Sequence, residues 1–149
     1  MLDVVPTPWA SSTLRRCDPI YLLNNMEDVR RCLEPAIARG HGEWRFGDIV
    51  ALILQGYMHL WASERNGRIE AVCVTQWLPW PTMKALNFVF IGGEKPGHWI
   101  EMEDEIAAWA KKEGATELRG IFSFDRLGWL RWILRRGWRQ CYVVVRRPI

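Results

Sequence analysis

Residues 86–115 read LNFVFIGGEKPGHWIEMEDEIAAWAKKEGA, and no other stretch restricts the fold of this chain as much. An apolar run rich in aromatic and β-branched residues opens it. Three glycines (Gly92, Gly93, Gly97) then interrupt the run, and a segment with helical apolar spacing ends at Gly114. A buried strand passing through a glycine-rich turn into a helix gathers backbone N–H groups at the positive end of the helix dipole. Such a place suits an anion.

The 149 residues fit one domain, residues 1–149, with an N-terminal arm over residues 1–18. A hydrophobic content of 49% with 25% charged residues belongs to a folded soluble protein. The longest candidate apolar run, residues 49–54, is too short to span a bilayer. The start, MLDVVPTPW, lacks the basic-then-apolar order of a secretory signal, so a cytoplasmic location is expected. Cys17, Cys32, Cys73 and Cys141 form no CxxC pair, and His41, His59 and His98 show no ligand spacing. Reduced thiols and no metal site follow.

The net charge of +3 is unevenly spread: from Lys111 onward ten basic residues face three acidic ones, Glu113, Glu117 and Asp125. Because the arginines are scattered over several segments, this pole reads as a solvated face and not as a nucleic-acid site. Ten tryptophans are the larger anomaly. They fill a core or are held for a partner, and core filling accounts for most of them.

In chain order, residues 2–5 are apolar and closed by Pro6 and Pro8, an edge strand or a loose end. Residues 19–38 carry one helical face (Tyr21, Leu22, Met26, Val29, Leu33, Ile37), with Pro35 in the last turn. Residues 48–55 give a second helix, stopped by Gly56. Residues 57–63 and 69–77 then form a hairpin about Asn66-Gly67, and Pro79 and Pro81 separate it from the strand at 85–91. After the helix that ends at Gly114 come a strand at 117–123, a helix at 126–136 capped by Asp125, and a closing strand at 138–147.

This order, with its glycine loop after the fourth strand and Gly137-Trp138 after the last helix, resembles the GNAT superfamily of acyl-CoA N-acyltransferases. The resemblance covers residues 20–147 in topology, and its sharp motifs lie in residues 87–114 and 128–138. Within it, IGG, AWAKKEGA and GWLRWILRRGW are similar to small GNAT-like proteins of tailed bacteriophages. The implied fold is α+β in three α/β/α layers, a mixed and mostly antiparallel sheet in the order β-α-α-β-β-β-α-β-α-β. The implied cofactor is acetyl-CoA. Its pantetheine arm would lie along Val89, Phe90 and Ile91, and its pyrophosphate on Gly92, Gly93, Glu94, Lys95, Pro96, Gly97 and His98.

The residues depart from the family pattern in physical ways. The family loop reads Gln or Arg, two residues, Gly, one residue, Gly or Ala, whereas this chain has GGEKPGHW. Pro96 removes an N–H donor, Glu94 sets a negative charge beside the loop, and Glu101, Glu103, Asp104 and Glu105 crowd the helix start. Ile133 stands where the family often has an acid tyrosine. Tyr142, His98 and Asp125 are the nearest titratable alternatives, and Ser123 has no histidine beside it to make a hydrolase triad. Two readings stay open. One is an N-acetyltransferase acting on a small amine or a protein in the cytoplasm of a bacterial host. The other is a non-catalytic GNAT-fold protein that contacts other phage virion proteins.

Overall fold

Asn66 and Gly67 sit at φ 52° and 73°, the left-handed pair that a type I′ turn needs to match the twist of two antiparallel strands. The computed structural model describes residues 12–94, 99–123 and 127–149. Around this turn β2 (His59–Arg65) pairs with β3 (Arg68–Leu78). Outside β2 lies β1 (Ser12–Cys17), antiparallel to it, and β3 pairs on its other side with β4 (Ala85–Gly93), also antiparallel. The last strand, β5 (Glu117–Gly120), is parallel to β4, so the five strands lie in sequence order in one mixed sheet.

The helices are α1 (Pro19–Asn24), α2 (Met26–Ala38), α3 (Phe46–Leu54), α4 (Trp99–Lys112) and α5 (Leu127–Arg135). Strand alternation divides them between two faces. Leu60, Ala62, Val72 and Val74 join Leu22, Val29, Leu33, Ile49 and Ile53 in one buried cluster under α1, α2 and α3. Trp61, Ala71, Cys73, Leu86 and Phe88 point the other way and join Met102, Ile106 and Ala110 of α4. The three-layer arrangement follows from that period of two.

Local chemistry explains where elements begin and break. Asp18 Oδ1 accepts the Tyr21 N–H at 2.8 Å and Pro19 opens α1. The single helix expected over residues 19–38 is split in two. Asn25, at φ −123° and ψ 24°, leaves the helical region, and its Nδ2 donates to the Tyr21 carbonyl at 2.8 Å. A side chain that bonds nearby backbone competes with the helix ladder, and here it wins. Helix α3 starts before Asp48 because the Asp48 carboxylate accepts the Arg45 N–H at 3.0 Å from within the first turn.

Three further expectations are corrected or displaced. The candidate strand at residues 2–5 lies outside the described residues, and the first described strand instead falls inside the expected arm, at Ser12–Cys17. Strand β5 ends at Gly120, short of residue 123. Residues 138–147, expected as a closing strand, are in no strand, so the order is β-α-α-α-β-β-β-α-β-α among the described residues. Gly137 at φ 91° ends α5, and Trp138 is held toward α4 by its Nε1–H bond to Glu103 Oε1 at 2.8 Å. The valine run that follows is exposed, and strand propensity without a paired, half-buried surface does not make a strand.

The tryptophans are mostly core. Of the eight whose side chains are described, Trp44 packs against the first cluster, Trp61, Trp77, Trp109, Trp129, Trp132 and Trp138 lie in or against the second, and Trp80 is exposed.

Helix α2 crosses β4 so closely that a Cβ on Gly92 would lie 2.0 Å from the Cys32 carbonyl oxygen. Gly92→Ala must therefore push α2 off the sheet, at a cost of about 2–3 kcal/mol. A urea titration should show the midpoint falling at unchanged slope. An unchanged midpoint would mean that α2 does not sit on β4 as described.

Candidate active site

The last residue of β4 that pairs with β5 is Phe88, opposite Gly120. From there β4 continues along β3 to Gly93, opposite Ala71, so residues 89–93 carry no strand partner on the β5 side among the described residues. The cause is local. Val74 and Thr75 are adjacent in β3 but face Phe90 and Phe88, which leaves Val89 as one extra residue in β4. This bulge sends Val89 and Phe90 together toward the first cluster and returns Ile91 to the second. A strand kinked in this way departs from its neighbour. The result is a free row of backbone N–H and C=O groups, ending in a glycine pair and leading toward the N-terminus of α4.

Of the residues that the resemblance assigns to acetyl-CoA, Val89, Phe90, Ile91, Gly92 and Gly93 lie on this free edge. Lys95, Gly97 and His98 lie outside the described residues. Gly92 has a packing duty against α2, as described above. At Gly93, with φ 155°, a Cβ would meet the Glu70 carbonyl oxygen at 2.5 Å. Both glycines permit close backbone approach.

The acidic residues around the loop are largely spoken for. Glu94 Oε1 accepts from Arg31 Nη1 at 2.6 Å and Arg68 Nη2 at 2.9 Å, while its N–H donates to the Glu70 carbonyl at 3.0 Å. Arg31 is locked further by a bond from Nη2 to the Ile69 carbonyl at 2.9 Å. On α4, Glu103 is 5% exposed; its Oε2 accepts from Arg136 Nε at 3.0 Å and its Oε1 from Trp138 Nε1 at 2.8 Å. Arg136 Nη2 reaches Asp104 Oδ1 at 2.9 Å. Glu94, Glu103 and Asp104 are thus each paired with arginine. Arg31 and Arg68 carry no sequence signal for this, since they come from a helix and a hairpin distant in the chain.

Of the titratable alternatives Tyr142, His98 and Asp125, only Tyr142 lies among the described residues. Ile133 is buried in α5 at 3% exposure, and Tyr142 lies 79% exposed on the C-terminal segment. His98 and Asp125 lie outside the described residues. Ser123 Oγ donates to the Arg39 carbonyl at 3.4 Å. His59 instead sits in an aromatic nest, its ring 5.5 Å from that of Trp109 and 6.3 Å from that of Trp77, with the Arg16 guanidinium over Trp109 at 4.9 Å. Burial, and then the Arg16 charge, lower the His59 pKa from its ordinary 6.5. Among the described residues no group of His, Cys, Asp and Glu could hold a metal ion, and no helix is long and apolar enough to cross a membrane.

No protein-family model matches the chain, and no curated protein matches it. Solved structures do. Aminoglycoside N-acetyltransferase AAC(6')-Iy in complex with CoA superposes with a TM-score of 0.73 at 12% identity, over 96% of this chain and 98% of that one. A predicted acetyltransferase with acetyl-CoA from Clostridium acetobutylicum gives 0.66 at 12%, over 92% and 96%. The ribosomal-protein-alanine N-acetyltransferase of Brucella melitensis biovar Abortus 2308 gives 0.70 at 10%, over 93% and 100%. These neighbours are GNAT-fold acetyltransferases. The chain has their fold, an open mixed sheet with helices on both faces.

Two outcomes follow from these contacts. Glu103→Ala takes the acceptor from Trp138 Nε1 and from Arg136 Nε, leaving Arg136 only Asp104, and should cost about 2–4 kcal/mol by chemical denaturation; a loss within error would mean that this staple is idle. For His59 the depressed folded pKa means that the unfolded chain binds the proton first. Stability should be full above pH 6.5 and fall as the pH drops below it. His59→Gln should flatten that part of the Tm–pH curve.

Proposed function

We propose that the protein is an acyl-CoA-dependent N-acyltransferase that takes acetyl-CoA along the free edge of β4 and passes its acyl group to an amine, on a small molecule or on a protein. One observation carries the reading: β4 is bulged at Val89 and runs on past β5, with no strand partner on that side among the described residues. The pantetheine arm of CoA has two amide groups spaced along an extended chain, and it binds such an edge as an added strand would. Val89, Phe90 and Ile91 supply that edge, and Gly92 and Gly93 allow the backbone to turn closely. The resemblance assigns Lys95, Gly97 and His98 to the pyrophosphate, which suits a stretch that leads in sequence to a helix N-terminus. The thioester supplies the activated acyl group. The chain binds and orients it, and the acceptor amine must give up a proton before attack.

The pairing of Glu94 with Arg31 and Arg68, and of Glu103 and Asp104 with Arg136, supports an anion at this loop. Paired carboxylates project little net field into the site. The second reading is a non-catalytic GNAT-fold protein of phage type, serving in a virion. It is favoured by Ile133, a buried aliphatic where the resemblance expects an acid tyrosine.

Isothermal titration with acetyl-CoA and CoA separates the two. Binding is expected with Kd on the order of 10–100 μM, within the usual span of substrate affinities. Lys95→Glu should weaken it about tenfold, or ~1.4 kcal/mol. No heat at millimolar ligand removes the enzyme reading, and unchanged affinity in Lys95→Glu moves the phosphates elsewhere.

A further inference from the structure

A groove of about 490 Å³ opens between β5, α5 and residues 138–144, the size of a small-molecule site. Asn87 and Gly120 are among its lining residues, and they belong to the last two pairs between β4 and β5. The groove therefore reaches the point from which β4 runs on alone. Its lining is chiefly apolar, with Trp80, Ile121, Leu134 and Val143 all exposed to an entering molecule.

The charges in this lining have one sign. Arg119 on the β5 wall and Arg139 on the C-terminal wall are its only ionised side chains among the described residues, and no carboxylate stands beside them. Arg119 is held in place from several sides: its Nε donates to Glu117 Oε2, its Nη1 donates to Cys141 Sγ at 2.9 Å, and its guanidinium lies 4.8 Å from the Trp80 ring centroid. Glu117 offsets part of its charge. Arg139 is exposed, and its charge is not offset by an ion pair among the described residues. A fixed guanidinium fork matches the plane of a carboxylate, and an apolar wall beside it suits a hydrocarbon or aromatic body.

We propose that this groove receives the acceptor of the acyl transfer, and that the acceptor is an apolar amine bearing a carboxylate, in the class of the large apolar α-amino acids; the inference rests on the acyl-CoA reading above. The arginines take the carboxylate and the apolar wall takes the side chain. A positive lining also disfavours an ammonium and favours the neutral amine that attacks. The amine nitrogen then bonds to the acyl carbonyl carbon as the C–S bond of the thioester breaks. Of the two protons that the ammonium loses, one goes to solvent and one ends on the departing thiolate, giving CoA thiol and an N-acyl amino acid. A polycationic amine finds no acidic partner in such a groove.

Release of CoA thiol from acetyl-CoA should be followed with L-phenylalanine, with phenethylamine, which lacks only the carboxylate, and with spermidine, a polycation. kcat/KM should be about tenfold higher for phenylalanine than for phenethylamine, the worth of one charge-assisted hydrogen bond, and spermidine should not turn over. Arg139→Gln should bring that ratio close to one. Equal rates for the pair, a preference for spermidine, an unchanged ratio in Arg139→Gln, or no turnover of any of the three by protein that binds acetyl-CoA overturns the inference and leaves the acyl-CoA reading standing. A calorimetric titration of the free protein needs no acyl-CoA. N-acetylphenylalanine, the product, should bind about tenfold more tightly than N-acetylphenethylamine. If acetyl-CoA itself does not bind, the acceptor role falls with the reading, and this titration decides the groove: a preference for the carboxylate keeps it as a site for apolar carboxylates, and equal affinity removes it.

Discussion

One extra residue in β4 sets the geometry of the molecule's working end. The bulge at Val89 comes directly after the last pair that β4 makes with β5. With it, pairing stops at Phe88–Gly120 and the strand continues along β3 alone. The bulge is stable because side chains on both faces accept it. Val89 and Phe90 pack under α2 while Ile91 turns back toward α4. Gly92 then lets α2 touch the strand backbone directly. The open edge is therefore held from one side by tight helix packing and from the other by continuous pairing with β3. A strand so constrained presents its open edge in a fixed shape.

The electrostatics of this end depend on pairs brought together from afar. Glu94 follows β4 directly, and Glu103 and Asp104 lie in the first half of α4; unpaired, such charges oppose a bound anion. Arginines from α2, from the hairpin and from the end of α5 change that balance. The exposed pairs contribute little stability in themselves. Their consequence is local, because they remove negative field where a pyrophosphate would arrive. Glu103 differs in being buried, and its two partners tie α4 to the end of α5, where the chain leaves the helix.

The aromatic content has a similar explanation. Trp61, Trp77 and Trp109 stack with His59 between the sheet and α4, while Trp129, Trp132 and Trp138 join Phe88 and Phe122 around α5. Each ring brings a large buried area to the space between the sheet, α4 and α5. Most of the tryptophan excess is thereby absorbed into the core, and the apolar surface left exposed is chiefly aliphatic and lies beside β5.

Local patterns in the sequence were enough to establish the hairpin at Asn66-Gly67, the strand-glycine-helix passage through Gly92 and Gly93, the helix stops at Gly114 and Gly137, and hence the mixed sheet and its resemblance. Each rests on chemistry within a few residues: a positive φ, a period of two or near four, a missing donor. The split at Asn25, the strand at Ser12–Cys17 and the loss of the closing strand were not legible in this way. A side chain that competes for a carbonyl, a partner edge in β2, and the pull of Glu103 on Trp138 decided them. The same division holds at the site. Sequence alone determined which backbone runs along β4 and where glycine opens it. Only the tertiary structure decided that Val89 is the extra residue and that Arg31, Arg68 and Arg136 neutralise the nearby carboxylates, because register and ion pairing depend on segments that meet only when the chain is folded.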